Sequence, residues 1–139
     1  MGMARLVVHM HGRPSDKRYS SLIDDYIARA KSKIRVEFHN DKMTPSEYYS
    51  RLPDNTILMD ENGDEFTSRE LSEKFRQWEL SSSDVNIAIG PADGFENGLT
   101  NPKISLSKLT FPHELAAVVL VEQLYRSIEL LKGTSYHRD

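Results

Sequence analysis

Residues 104–113 read Ile-Ser-Leu-Ser-Lys-Leu-Thr-Phe-Pro-His, a loop rich in hydroxyl groups that leads into a long apolar helix. Proline suits the start of a helix, and such a start leaves free backbone N–H and C=O groups that a ligand can use. The helix is followed by Tyr136-His137-Arg138-Asp139, in which His and Arg offer a proton acceptor and an anion-binding group. This order of loop, helix and polar segment indicates the fold and the chemistry more strongly than any other part of the chain.

The composition is that of a single globular domain. The 139 residues are 38% hydrophobic and 28% charged, and a chain of this length buries ~68% of the surface of its unfolded form. It has no apolar run near the ~20 residues of a membrane helix and no signal-peptide core in residues 1–5. The absence of cysteine excludes disulfides, thiolate zinc sites and cysteine nucleophiles. We therefore expect one domain, residues 1–139, in a soluble cytoplasmic protein with no membrane partner.

The net charge of −3 is unevenly distributed along the chain. Residues 1–35 contain eight basic and three acidic side chains, a balance of +5, so the remainder carries −8. A basic face can orient a polyanion such as RNA even when the total charge is negative. A solvated helix surface also attracts lysine and arginine, and that alternative is equally open.

Strands and helices alternate along the chain. Strands are predicted at residues 5–10, 34–38, 55–59, 85–89 and 104–106. The helices between them have recognisable starts: Ser15 as an N-cap, Thr44 followed by Pro45 and Glu47, and Thr67 paired with Glu70. The third of these helices has Leu71, Phe75, Trp78 and Leu80 on its apolar face, and polar turns are predicted at residues 60–64 and 90–94. This alternation favours one α/β domain with a mostly parallel sheet.

The last helix is apolar on all sides over residues Leu115–Val121. A helix on a protein surface keeps a polar face, so this one needs a second covering partner besides the sheet. In so small a chain, a second copy of the same chain is the favoured partner. The alternative is a helix enclosed within a single subunit.

The last third of the chain also resembles a known family. The run Leu-Ser-Lys-Leu-Thr-Phe-Pro-His-Glu at residues 106–114 is followed by Val-Glu-Gln-Leu-Tyr-Arg at residues 121–126 and by Tyr-His-Arg at residues 136–138. This combination resembles the RlmH family, the ribosomal RNA large subunit methyltransferases H, which are small members of the SPOUT class. The resemblance covers roughly residues 55–139, and only the order of elements extends it further. It implies a SPOUT-type α/β knot with a C-terminal trefoil knot and an obligate homodimer.

The resemblance implies S-adenosylmethionine as the cofactor. In SPOUT enzymes, three loops hold it largely through backbone groups, between apolar side chains. Matched onto this sequence, the cofactor-binding residues are Met59, Gly90, Pro91, Leu106, Ser107, Lys108, Leu109, Thr110, Phe111 and Pro112. A site that reads its ligand by backbone groups needs exposed peptide groups and close walls more than particular charges.

The implied reaction is methylation at N3 of a pseudouridine in 23S ribosomal RNA, in the intersubunit stem-loop of the assembled ribosome. That nitrogen is a weak acid, and His137 is the candidate general base. Arg138 could stabilise the developing oxyanion or bind a phosphate, and Tyr136 could stack on a base or orient the histidine. The alternative for all three is a frayed chain end without a role.

Two departures from the family pattern open a second reading. Pro91 stands where the family has a second glycine, and proline has no N–H. Ala117 stands where the family has an arginine in the last helix. These changes suit a noncatalytic knotted paralogue that binds RNA or a cofactor. A flavodoxin-like nucleotide binder also fits the α/β pattern, although the Tyr-His-Arg segment argues against it.

The remaining polar residues give weaker signals. His9 and His11 could face one side as metal ligands, but without a third ligand nearby we expect no metal. His113, in the first turn of the last helix, is expected to cap it. Asp93 is either a site residue or part of a turn.

Overall fold

The computed structural model describes residues 5–139, which form five strands and four helices. Their order is β1 (Leu6–His11), α1 (Lys17–Arg29), β2 (Ile34–His39), α2 (Pro45–Arg51), β3 (Ile57–Glu65), α3 (Ser68–Glu79), β4 (Val85–Ala88), β5 (Lys103–Ser105) and α4 (His113–Lys132). Each predicted strand and helix is present; most ends shift by one or two residues, but β3 continues six residues beyond its predicted end at Met59. Among the described residues, no helix is both long and apolar enough to span a bilayer.

The five strands form one sheet in the order β2-β1-β4-β3-β5, and all pairs are parallel. The α/β class with a parallel sheet is therefore confirmed. One face of β1, carrying Leu6, Val8 and Met10, packs in a single core with side chains of α1, α3 and α4. The alternate residues of β1, including the buried His9, lie on the opposite face.

Helix α4 lies at the centre of the helical layer and contacts both α1 and α3. Ala117, Val118, Leu120 and Val121 are all buried within the one subunit. The apolar pattern is thus largely satisfied without a second copy, as in the alternative of an enclosed helix. The pattern alone does not require a homodimer, and the dimer and the knot stay predictions.

Two of the three predicted helix starts are confirmed. Thr44 and Thr67 each form a capping box, in which the threonine accepts from the N3 amide and the N3 glutamate accepts from the cap amide. The prediction for Ser15 is wrong, because the cap of α1 is Asp16, which accepts from the amide of Arg18 at 2.8 Å.

The predicted turn at residues 60–64 is instead a bulge inside β3. Ile104 of β5 lies opposite both Met59 and Asp64, so the residues between them are pushed out of the ladder. Gly63 permits this, since a Cβ there would lie 2.6 Å from the backbone carbon of Lys103. Leu80 is also not where its pattern placed it: it is the C-cap of α3 and is 77% exposed.

Candidate active site

A cavity of about 360 Å³ opens at the carboxyl ends of β4 and β5 and beside the bulge within β3. Its walls come from the bulge after Met59, the turn at residues 89–97, the loop at residues 106–111, and the start of α4. In parallel α/β sheets, ligands bind in the crevice outside the carboxyl ends of the strands. The position of the cavity therefore follows from the fold.

Most of the residues predicted to bind a cofactor meet at this cavity. The lining includes Met59, Gly90, Pro91, Leu106, Ser107, Leu109, Thr110 and Phe111. Lys108 and Pro112 are not part of it: the Lys108 ammonium points toward Glu65 at 4.0 Å, and Pro112 is the N-cap of α4. Leu109 is 71% exposed, so it lies at the mouth of the cavity rather than in its floor.

Hydroxyl groups fix the shape of the loop at residues 106–111. The Ser105 hydroxyl donates to the carbonyl of Ser107 at 2.8 Å, and the hydroxyl of Ser107 accepts from the amide of Leu109 at 3.0 Å. The Thr110 hydroxyl donates to the Glu61 carboxylate at 2.7 Å, which joins this loop to the bulge of β3. The hydroxyl-rich composition noted in the sequence thus holds one wall of the cavity in place.

The turn after β4 is compact because of Gly90 and Gly94. The amide of Gly94 donates to the carbonyl of Pro91 at 2.7 Å, and Gly94 adopts a φ of +80°. A Cβ on Gly90 would lie 3.3 Å from both Gly94 Cα and the Phe95 ring. Pro91 is buried and has no N–H to donate. Its carbonyl accepts the hydrogen bond from Gly94 that closes the turn.

The polar lining of the cavity is acidic. Asp60, Glu61 and Asp93 contribute carboxylates, and no lysine or arginine occurs among the described lining residues. Such a lining favours a ligand with positive charge. The sequence assigned Asp60 and Glu61 only to a turn, although their place directly after a strand is a signal for this edge of the sheet.

His113 also lines the cavity. Helix α4 begins at its Pro112 cap without a hydrogen bond from any side chain, so the prediction that His113 caps this helix is wrong. Asp93, for which a turn role and a site role were both open, lies in the turn and in the cavity wall.

The segment Tyr136-His137-Arg138 lies away from the cavity of its own chain. Tyr136 donates to Glu122 of α4 at 2.7 Å, and Nδ1 of His137 lies 3.2 Å from a guanidinium nitrogen of Arg126. Burial, and then the bond to Glu122, raise the pKa of the Tyr136 hydroxyl well above its usual value. The segment is therefore docked on α4 rather than frayed.

Asp139 completes this docking. Its carboxylate lies 2.6 Å from the Arg69 guanidinium of α3 and 2.9 Å from Nε2 of His137. The bonds from Arg69 and then His137 lower the pKa of Asp139 to about 2. None of the three predicted catalytic residues lines the cavity, so one subunit does not bring the two groups together.

A family model described as "Predicted SPOUT methyltransferase" matches residues 4–137 of the chain. The chain belongs to the SPOUT methyltransferase family. Its relatives named ribosomal RNA large subunit methyltransferase H confirm the RlmH resemblance. The protein of that name from Polynucleobacter asymbioticus is 32% identical, over 97% of this chain and 99% of its own length.

Other relatives of the same name match over less of their length. The protein from Acidovorax ebreus is 31% identical over 84% of this chain and 87% of its own. The protein from Francisella philomiragia is 39% identical, over 61% of this chain and 57% of its own length. In the first relatives of this group, the match thus spans a little over half of the curated protein.

A solved structure shares the fold of this SPOUT chain. TrmJ from Z. mobilis ZM4 superposes with a TM-score of 0.50, over 98% of this chain and 72% of its own, at 7% sequence identity. The identity is too low to say more than that the two chains have similar folds. The fold agrees with the family assignment.

Proposed function

We propose that this chain is an S-adenosylmethionine-dependent methyltransferase that acts on large-subunit ribosomal RNA. The observation that carries the proposal is the cavity beside the β3 bulge and the carboxyl ends of β4 and β5, to which the three segments that the SPOUT resemblance marks for the cofactor all contribute. The names of the relatives support the RNA substrate. The finer proposal is methylation at N3 of a pseudouridine in 23S ribosomal RNA of the assembled ribosome, in the cytoplasm.

The residues of the cavity fit this cofactor. A volume of about 360 Å³ is within the usual ~300–1,000 Å³ of small-molecule sites. Met59, Leu106 and Phe111 supply apolar walls, and the absence of a Cβ at Gly90 lets Gly94 and Phe95 pack closely in the turn that forms another wall. The carboxylates of Asp60 and Asp93 suit the positive charges of the cofactor.

S-adenosylmethionine, when bound, supplies an electrophilic methyl group on a positively charged sulfur. The residues of this chain bind it, exclude water with the apolar wall, and remove a proton from the base to be methylated. His137 is the proposed proton acceptor, because a neutral imidazole has a ring nitrogen that can accept a proton. Arg138, an exposed cation, is proposed to stabilise negative charge on the base or to bind a phosphate, with Tyr136 positioning the histidine.

This assignment requires a second copy of the chain. Tyr136, His137 and Arg138 lie on α4 of their own subunit and not at its cavity. A homodimer would bring this segment of one subunit to the cavity of the other, so that each site is built from two chains. The dimer, and with it the trefoil knot of the SPOUT fold, belong to the proposal.

The alternative is a noncatalytic knotted paralogue that binds RNA or the cofactor. Pro91 favours it, since a wall residue without an N–H cannot donate to a ligand. Ala117 does not support the noncatalytic alternative, because this residue is fully buried in the subunit core and is not part of the cavity wall.

Two measurements test the proposal. Calorimetric titration with S-adenosylhomocysteine is expected to show one site per chain, and purified ribosomes that lack the modification are expected to accept a labelled methyl group. Binding without transfer would support the noncatalytic alternative. No binding of S-adenosylhomocysteine by the folded protein would overturn the methyltransferase reading and leave the noncatalytic paralogue that binds RNA.

A further inference from the structure

A histidine cluster lies on the sheet face opposite the helical layer, outside the proposed active site. His9 of β1 is 2% exposed, and its Nδ1 lies 2.9 Å from Nε2 of His39 at the end of β2. Glu37 of β2 lies directly across the ladder from His9, and His39 follows two residues later on the same face. The parallel pairing of β1 and β2 thus places two imidazoles and a carboxylate together.

The donor atoms of these three side chains converge. One nitrogen of each histidine and one oxygen of Glu37 all lie within 4.8 Å of one another. Two nitrogens bound to one zinc ion in tetrahedral geometry are about 3.3 Å apart, given Zn–N bonds of about 2.0–2.1 Å. The present spacing of 2.9 Å between the two nitrogens is thus about 0.4 Å short of that value, and both rings would also turn so that their lone pairs point at the ion.

Asn86 of β4 orients His9 for this role. Nε2 of His9 lies 2.8 Å from the side-chain oxygen of Asn86, which can only accept a hydrogen bond. Nε2 of His9 therefore carries a proton, and its Nδ1 accepts from Nε2–H of His39. An ion that binds both nitrogens takes the place of this shared proton, which moves to Nδ1 of His39. An outer partner that fixes the tautomer in this way is typical of metal-binding histidines. Within residues 5–139, the ion pair of Glu37 is with Arg35 at 3.7 Å, and because both side chains are about half exposed this is a weak interaction.

We propose that His9, His39 and Glu37 bind a divalent transition-metal ion of the zinc type, with a fourth position open to water. Two imidazoles and one carboxylate suit zinc, whereas magnesium and calcium prefer oxygen ligands. The cluster is independent of the proposed methyl transfer. The sequence pattern paired His9 with His11, whereas the structure places Glu37 and His39 of β2 beside His9 and pairs His11 with the carbonyl of Met43.

The ion would stiffen the support of the cavity. The His39 ring packs edge-on against Tyr48, with centroids 5.3 Å apart, and the Tyr48 hydroxyl donates to Ile89 in the cavity wall. Binding at His39 would restrict this chain of contacts. Because an ion that binds only the folded state stabilises it by mass action, the melting temperature rises with zinc concentration.

The test is a titration of the untagged full-length chain, stripped with a chelator, with zinc chloride at neutral pH. One zinc ion per chain is expected, together with visible absorption bands of a tetrahedral site when cobalt(II) replaces zinc, and no heat with magnesium chloride. His39→Asn is expected to weaken zinc binding by more than ~100-fold and Glu37→Gln by at least ~10-fold, since outer partners alone cost ~10–100-fold. His137→Gln, which removes a histidine outside the cluster, is the matched control and keeps full affinity.

Each result of the zinc titration either supports or overturns the proposed site. No zinc binding by the wild type, or full binding by Glu37→Gln and His39→Asn, would overturn the proposal. Loss of binding in His137→Gln would move the site to the C-terminal segment and overturn it as well. Glu37 is exposed, so its variant is expected to fold even where a change at His39 disturbs the sheet. Neither RNA nor the cofactor is used, so a failure here differs from a failure of the methyltransferase proposal.

Discussion

The hydroxyl group of Tyr48 donates a hydrogen bond to the backbone carbonyl of Ile89 across 2.7 Å, joining α2 to the wall of the cavity. Both residues are fully buried, and burial raises the pKa of Tyr48 well above its usual value. The hydroxyl therefore stays protonated and keeps its role as donor. The Phe95 ring, itself part of the cavity wall, stacks on Tyr48 with centroids 6.2 Å apart.

Tyr48→Phe is expected to lower the free energy of unfolding by about 1–3 kcal/mol, because it leaves the buried Ile89 carbonyl without a donor. Affinity for S-adenosylhomocysteine should fall with it, since the wall at Ile89 is less firmly held. Urea unfolding and calorimetry measure the two effects. Tyr49→Phe is the matched control: it removes a bond to Asn101 at a partly exposed position, and its affinity should be that of the wild type. Equal losses in both variants would contradict the role of Tyr48.

Glu114 connects the starts of two helices that are far apart in sequence. Its carboxylate accepts from the amide of Ser15 at 3.0 Å, from the Ser15 hydroxyl at 2.9 Å, and from the amide of Asp16 at 3.4 Å. Burial pushes the pKa of Glu114 up, but the bonds from Ser15 and Asp16 together outweigh burial and lower it below its usual value of 4.5. The carboxylate thus links α4 to the start of α1.

A pH dependence follows from the sign of this shift. A carboxyl group with a lowered pKa in the folded state stabilises the protein above its unfolded pKa, and this stability is lost as the pH falls through the folded value. Glu114→Gln is therefore expected to be less stable than the wild type at neutral pH, with the difference shrinking below about pH 4.5. Urea unfolding at several pH values measures it. Glu73→Gln, at an exposed ion pair with Arg76, is the control and should change stability little. A constant difference across the acid range would contradict this account.

Local sequence signals predict the strands and helices, whereas the features that the sequence does not predict depend on contacts between residues far apart in the chain. The capping boxes at Thr44 and Thr67 depend only on neighbours three residues away, so their pattern was sufficient. Ser15 and Asp16 are both good caps, and the choice between them depends on Glu114, 99 residues away from Ser15. A local pattern carries no information on that contact.

The walls of the cavity also divide into parts with a local sequence signal and parts that depend on long-range contacts. Its turn and loop were predicted because glycine, proline and hydroxyl residues mark them locally. The entry of Asp60 and Glu61 into the wall depends on a bulge, which arises only when β3 pairs with β5. The cluster of His9 with His39 likewise needs the register of two strands, which the sequence of either strand does not give.

Ala116→Leu tests the cavity by volume. Ala116 lies on the first turn of α4 and lines the cavity, so a leucine there should fill part of the space. Leucine is a good helix former, and the fold should be preserved. We expect binding of S-adenosylhomocysteine to weaken at least tenfold by calorimetry, with an unchanged circular dichroism spectrum. Wild-type affinity in this variant would place the cofactor elsewhere.

Leu109→Glu should weaken the binding of S-adenosylhomocysteine less than Ala116→Leu does, because a side chain that is 71% exposed can turn its charge to water.

The proposed shared site requires a dimer in solution. Light scattering at low micromolar concentration is expected to give twice the chain mass of 15.9 kDa. The reason is not the apolar pattern of α4, which is mostly buried in one subunit, but the docking of the Tyr136–Arg138 segment on α4, where none of its residues lines its own cavity. A stable monomer that still methylates ribosomes would contradict the two-chain site.

The C-terminal segment separates a catalytic role from a structural one. His137→Ala should leave stability nearly unchanged, because Arg126 keeps its 2.8 Å pair with Glu122 when the imidazole is removed. Cofactor affinity should also be close to that of the wild type. A general base contributes ~10²–10⁴-fold to the rate, so single-turnover methylation of ribosomes that lack the modification should fall by that range.

Arg138→Ala distinguishes the two roles proposed for the arginine. If the cation stabilises the reacting base, the maximal rate falls; if it binds a phosphate, a higher RNA concentration restores the rate. Lys132→Ala, which removes another cation near the end of α4, is the matched control and should leave both parameters unchanged. Full methylation by the His137→Ala, Arg138→Ala double variant would show that the segment serves only to dock on α4, and the catalytic assignment would then be withdrawn.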